Sequence, residues 1–242
     1  MTNTTRQALG DYPAGVQTAV QETRERVAAL HSELTRWQLV VWTAGNVSER
    51  VPGTDLFVIK PSGVPYGELR ADNMIVCTLG SAQVDDATTR TLSPSSDTDA
   101  HAYVYRHRDD IGGVVHTHST FATAWAARGE PIPCVLTMMA DEFGGEIPVG
   151  PFALIGDDSI GRGIVATLRG SRSPAVLMRN HGPFTVGRTA RDAVKAAVMC
   201  EEVARTIHIS RQLGQPASID PADIDSLFDR YQNGYGQKLT AD

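Results

Sequence analysis

A chain of 242 residues, 41% hydrophobic and 21% charged, is long enough to bury one substantial core. Its net charge of −6 leaves no basic footprint for nucleic acid or an anionic membrane, and its three isolated cysteines, Cys77, Cys134 and Cys200, argue against a disulfide framework and a thiolate metal cluster. No apolar stretch approaches membrane-spanning length and the first residues lack the pattern of a secretion signal, so a cytoplasmic protein with neither nucleic-acid nor membrane partners is expected.

Residues 1–15 are expected to be flexible. From about Gln17 the apolar positions Val20, Val27, Leu30, Leu34 and Trp37 keep helical spacing, opposite a charged cluster of Glu22, Arg24, Glu25 and Arg26, which predicts a long amphipathic first helix. Asp55 to Lys60 reads as a strand, Pro61-Ser62-Gly63 as a turn and Met74 to Cys77 as a second apolar run, the turn formers bounding short strands. Ser95, Ser96 and Asp97 precede a helical stretch through Tyr105, where such residues cap the free amides of a first turn. Val114 to His118 reads as a strand, Thr120 to Arg128 as a small-residue helix stopped by Gly129, and Ile132 to Leu136 as another strand. After a helix around Ser159 to Leu168 come a strand at Ala175 to Arg179, the turn Asn180-His181-Gly182-Pro183 and a strand at Phe184 to Val186. Thr189 opens a helix ending at Gly214, and the tail carries a short helix from Pro221. Without regular βαβ alternation, these elements predict an α/β chain of the α+β-like, three-layer kind: a central mixed, mainly antiparallel sheet flanked by helices, in one domain over 1–242.

His116 and His118 stand two apart at the end of a predicted strand, so their imidazoles point the same way and can reach one ion. His181 closes a second apolar run and Asp97 lies upstream. Three imidazoles and a carboxylate suit a divalent transition metal, zinc before manganese or cobalt; strand-edge histidines bonded to backbone are the alternative. His31, His101, His107 and His208 fall within helical stretches and read as structural or solvated. Gly45-Asn46-Val47-Ser48, Lys60-Pro61-Ser62-Gly63 and Ser95-Ser96 could cradle phosphate, since small residues let amides approach an anion and hydroxyls add donors. Each alone is ordinary loop chemistry. Asp141 and Tyr235 are acid–base candidates by context only.

Read together and in order, Gly-Asn-Val-Ser, Lys-Pro-Ser-Gly-Val, Ser-Pro-Ser-Ser-Asp-Thr, Val-Val-His-Thr-His-Ser and Asn-His-Gly-Pro-Phe resemble the class II aldolase and sugar-phosphate epimerase family, from about Trp37 to Gln237. Within it, Ser95-Ser96-Asp97-Thr98 and Tyr235-Gly236-Gln237 look like the L-ribulose-5-phosphate 4-epimerase branch, whereas fuculose-phosphate aldolases place glutamate where Asp97 stands. The resemblance implies a class II aldolase-like fold and a zinc site of His116, His118 and His181 with Asp97 in or beside the shell. It implies that Gly45, Asn46, Ser62, Gly63, Ser95 and Ser96 hold a substrate phosphate, with Lys60 nearby and Thr137 at another substrate-side position. It makes Asp141 and Tyr235 the proton donor and acceptor. It further implies a homotetramer with active sites between subunits, so that Asp141, Tyr235 and the tail 216–242 would serve a neighbour's zinc. The implied reaction interconverts L-ribulose 5-phosphate and D-xylulose 5-phosphate. Because C4 carries no acidic proton, inversion proceeds by cleaving and remaking C3–C4, with the metal as Lewis acid. The alternative is an aldolase that releases dihydroxyacetone phosphate and an aldehyde. Interaction modules of this fold such as adducin's head domain lack the metal histidines, which this chain retains. One departure is that no histidine follows His208, where the epimerases carry one before Tyr-Gly-Gln; this points the tail toward another substrate.

Overall fold

Strands whose four residues are all buried, such as Leu56–Ile59, Gly113–His116 and Ala175–Met178, belong in a sheet covered on both faces. The computed structural model, described for residues 7–234, shows such a sheet. Its strands are β1 (Asn46–Arg50), β2 (Leu56–Ile59), β3 (Ile75–Thr78), β4 (Gly113–His116), β5 (Val149–Gly150), β6 (Ala175–Met178) and β7 (Gly182–Gly187). Their order is β3-β2-β1-β4-β7-β6-β5, antiparallel throughout except for the parallel pair β5-β6.

Side-chain alternation divides the core between two faces. On one, Phe57, Ile75, Val114, Val176 and Phe184 pack with Tyr105 of α2 (Thr98–His107) and with Ile160 and Ile164 of α5 (Ser159–Leu168). On the other, Val47, Val58, Val76 and Val115 meet Val20, Val27 and Leu34 of α1 (Ala14–Arg36) and Ala193 and Ala197 of α6 (Ala190–Leu213). A third cluster joins Ala175 and Leu177 to α3 (Thr120–Arg128), α4 (Thr137–Phe143) and the second half of α6. The final helix, α7 (Pro221–Gly234), packs on α4. The predicted layering of helices on both sides of a mainly antiparallel sheet is what the structure has. Among the described residues no helix is long and apolar enough to cross a membrane.

Two local readings change. The stretch Gly45-Asn46-Val47-Ser48, read as a loop, leads into the central strand β1, with Asn46 and Ser48 buried. Ile132 to Leu136 is not a strand: Ile132 forms one isolated bridge to Ile147. Pro131 and Pro133 remove ladder donors on either side of it, and from Thr137 the chain turns into α4 instead. Ahead of α1, Leu9 N–H donates to Asp85 O (2.8 Å) and Asp85 N–H to Gln7 O (3.2 Å).

His31 couples α1 to the central strand. Its Nδ1–H donates to Val27 O (2.7 Å), which leaves Nε2 to accept from Val47 N–H (3.1 Å). Burial pushes its pKa from an ordinary value near 6.5 down to about 3. The folded state therefore binds fewer protons than the unfolded chain between those values. The stabilisation is complete above pH 6.5 and is lost as pH falls toward 3, by at most about 1.4 kcal/mol per pH unit. His31→Leu is expected to flatten the pH dependence of the urea midpoint across this window. It should also destabilise by about 1–3 kcal/mol at pH 7, because Val47 N–H is left buried and unpaired. An unchanged slope would refute this account.

Candidate metal centre

The site is built on a row across the three central strands. Asn46 of β1 pairs with His116 of β4, which pairs with Phe184 of β7, so all three side chains share the α2 face at one end of the sheet. The strand ends at His116; Thr117 follows and His118 returns to the same side. His181 stands in the β6–β7 turn, where Asn180 takes the left-handed conformation (φ 59°) that asparagine tolerates. One nitrogen from each of His116, His118 and His181 lies within 4.8 Å of the others, and the His116 and His118 Nε2 atoms are 2.9 Å apart.

The surroundings prepare these rings for a cation. His116 is 1% exposed and stacks on Phe184 (4.1 Å between centroids, 13° between planes). Its Nδ1–H donates to Pro183 O (3.1 Å), which leaves Nε2 as a bare lone pair aimed at the cluster, the arrangement metal-binding histidines use. Burial, then the neighbouring imidazoles, holds the His116 pKa well below its usual value. Burial lowers His118 and His181 too, against the opposing charge of Asp97. Neutral imidazoles are the form that ligates, and three converging nitrogens with a carboxylate close by fit a divalent transition-metal ion with open positions.

Asp97 stands at the N-terminal boundary of α2, makes no side-chain capping bond and is buried. Its Oδ2 accepts from Asn46 Nδ2 (2.7 Å), which also donates to Ser95 Oγ (3.0 Å). Among the described residues the three imidazoles converge without its carboxylate. Behind it on α2, His101 Nδ1 is 2.7 Å from Ser48 Oγ, which is 2.7 Å from Tyr105 OH. His101 was expected to be structural or solvated; it is fully buried beside the site. Its i+4 spacing from Asp97, which puts both on one helix face, is the signal that could have found it.

A cavity of about 300 Å³ opens over the triad. It brings together the triad, Asp97 and every predicted cradle residue: Gly45, Asn46, Lys60, Ser62, Gly63, Ser95 and Ser96. Gly45 is required as glycine: φ is 81° and a Cβ would lie 2.9 Å from His116 O. Lys60 is buried, its Nζ donating to Thr43 O (3.0 Å) and Pro61 O (3.2 Å); an ammonium has a third proton to offer. Burial lowers its pKa. Thr43, Ala44 and Ile155 also line the cavity, Ile155 from a loop that carries no motif. Glu201 of α6 was missed as well; it accepts from Phe121 and Ala122 N–H (2.9 Å each) and pins the start of α3 just after His118. A larger, more open hollow lies at the opposite strand ends, around Arg50, Asp55, Asp109 and Arg188, with no converging donor set.

Thr137 and Asp141 are not in this cavity. Thr137 is exposed at the start of α4, and Asp141 further along it accepts from Arg230 Nη2 of α7 (3.1 and 3.3 Å). Gln232 Nε2 adds a bond to Asp141 O (3.4 Å). Tyr235 lies outside the described residues, immediately after the end of α7 at Gly234.

Residues 25–208 match the family described as Class II Aldolase and Adducin N-terminal domain. Among solved structures, an L-fuculose 1-phosphate aldolase superposes with a TM-score of 0.80 at 24% identity, covering 87% of this chain and 96% of that one. YgbL from Klebsiella pneumoniae, whose description spans aldolase, epimerase and decarboxylase, matches at 27% identity with a TM-score of 0.73, over 86% and 98%. An L-fuculose 1-phosphate aldolase from Glaciozyma antarctica PI12 matches at 20% identity with a TM-score of 0.75, over 92% and 87%. The first and third of these are likenesses of fold.

Proposed function

The chain belongs to the class II aldolase and adducin N-terminal domain family, and from that premise we propose a metal-dependent enzyme that breaks and remakes a carbon–carbon bond of a sugar phosphate, namely L-ribulose-5-phosphate 4-epimerisation. The observation that carries the proposal is one cavity holding both the three imidazoles and the anion cradle. His116, His118 and His181 would hold the ion, zinc before manganese or cobalt, which supplies Lewis-acid stabilisation of the negative charge that develops as the bond breaks. The hydroxyls of Ser62, Ser95 and Ser96 and the Lys60 ammonium bind the phosphate and fix the sugar's position. Asp97, held by Asn46, sets the charge beside the imidazoles.

Proton transfer at the C4 hydroxyl falls to Asp141 and Tyr235, one on each face. Removal of that proton lets C3–C4 break into the enediolate of dihydroxyacetone and glycolaldehyde phosphate. Rotation of the aldehyde and re-addition on its other face invert C4, and the second residue returns the proton. Asp141 sits outside its own chain's cavity, on the α4–α7 unit whose last helix runs directly into Tyr235. This supports a homotetramer in which that unit, with the tail from 216, serves the neighbour's cavity.

The test is a product assay on a panel of ketose phosphates with and without chelator; no interconversion of the two pentulose phosphates by metal-replete protein sinks the epimerase reading. The second reading is an aldolase, the activity for which two of the fold neighbours are named. Release of free aldehyde identifies it, since an epimerase retains the fragment. Under either reading Asp141→Asn is expected to lower kcat by about a hundredfold or more with metal content unchanged. Loss of the metal in that variant would contradict the role.

A further inference from the structure

Buried polar atoms normally find partners, so unpaired ones near a site are informative. Three cluster here: Asp97 Oδ1, Asn46 Oδ1 and His101 Nε2 are buried without a hydrogen-bond partner. Two are acceptors with room for further bonds; the third is one face of an imidazole whose other nitrogen is engaged by Ser48. His101 lies one helical turn beyond Asp97, its N–H donating to Asp97 O (3.0 Å), and the Asp97 charge acts on its ring.

We propose that His101 is a positioning residue that donates from Nε2–H to the Asp97 carboxylate, directly or through one ordered water, and so keeps that carboxylate turned toward the three imidazoles. The chemistry of the pair selects the tautomer. If Nδ1 carried the proton toward Ser48, Nε2 would present a lone pair toward an acceptor-only carboxylate, and no bond could run from the ring to Asp97. With the proton on Nε2, Ser48 O–H donates to Nδ1, Tyr105 O–H donates to Ser48 Oγ, and Nε2–H is the donor that the unpaired Asp97 Oδ1 lacks. Tyr105–Ser48–His101–Asp97 is then one directed line of hydrogen bonds that starts in the core and ends at the site. T-shaped packing of His101 against Phe184 (6.2 Å), the ring on which His116 stacks, holds the imidazole in that orientation. Outer-shell bonds of this kind commonly change metal affinity by roughly 10- to 100-fold when removed.

The inference rests on the metal-site reading above but not on the choice of substrate. Long-range proton–nitrogen NMR of the full metal-free chain tests the tautomer: a neutral His101 protonated at Nε2 is expected, and protonation at Nδ1 overturns the proposal. Two substitutions separate positioning from structure. The amide nitrogen of His101→Gln reaches the Nε2 position, whereas His101→Asn keeps only the Nδ1-side contact with Ser48. Zinc affinity by chelator competition should stay within about threefold of wild type in the glutamine variant and weaken roughly 10- to 100-fold in the asparagine variant. The reverse order, or equal losses that track melting temperature, indicates a merely structural histidine. Tight zinc binding with the expected order but no sugar-phosphate turnover would refute the proposed function and leave this inference standing. A wild-type chain that holds no zinc would refute the metal-site reading, with the tautomer still deciding on the pair.

Discussion

His116→Ala is expected to yield a folded protein that retains no stoichiometric divalent ion and turns over sugar phosphate roughly four orders of magnitude more slowly, since Lewis-acid stabilisation supplies several kcal/mol at the transition state. Of the three imidazoles this one is the most deeply buried and the only one of them stacked flat on Phe184. Its loss also removes packing, at about 2–3 kcal/mol. His118→Ala and His181→Ala should abolish ion retention as fully with less effect on stability, because both rings are half-buried. Elemental analysis, melting curves and turnover measured on the three variants check this ordering. Chelator should lower the melting temperature of the wild type and leave His116→Ala unmoved, because only a protein that binds the ion is stabilised by it. Full metal content in His116→Ala would show that the triad is not the ligand set.

Gly113→Ala should be among the most damaging small substitutions in the chain, although it touches no candidate ligand. A Cβ there would lie 2.3 Å from the Ala190 amide nitrogen and 2.4 Å from its Cα, and both are backbone atoms at the start of α6. β4 is bonded to β1 on one side and β7 on the other, so neither the strand nor the helix can yield alone. A loss of about 3–5 kcal/mol is expected, a large share of a typical domain's stability. Gly15→Ala is the control. It lies in α1 with nothing within 4 Å of the added carbon, and should be neutral or stabilising by up to about 1 kcal/mol. Urea midpoints of the two variants decide; similar values would mean that the α6 contact on β4 is softer than its distances imply.

Much of this architecture could be read from residue order. Helical spacing located the flanking helices, and continuous apolar runs located most strands, because strands covered on both faces are apolar at nearly every position. β1 was hidden since a central strand that begins Gly45-Asn46 and carries buried Asn46 and Ser48 has polar residues where the pattern demands apolar ones; those residues face the site and α2, and function displaced hydrophobicity there. α4 was hidden by Pro131 and Pro133 and by its shortness. At the site, the triad and the cradle are legible only as motifs taken together and in order, and His101 only by its i+4 spacing from Asp97, whereas Glu201 and Ile155 act through contacts that no local spacing encodes. The positions of Asp141 and Thr137 were beyond reach of spacing for another reason: α4 packs on α7 through contacts distant in sequence, such as the Asp141–Arg230 ion pair between residues 89 apart.

The cross-strand row Asn46–His116–Phe184 also orders events during synthesis. β1, β2 and β3 can pair as soon as they emerge, but β1 keeps an open edge until β4 arrives beside it, and β4 keeps one until β7 is made. An open edge flanked by Val114 and Val115 is a template for pairing with other chains. His181, the last imidazole, leaves the ribosome immediately ahead of the strand that covers this edge. The three imidazoles can therefore meet only once every strand but β7 has been made, and an ion held by all of them would mark a chain at or beyond that stage.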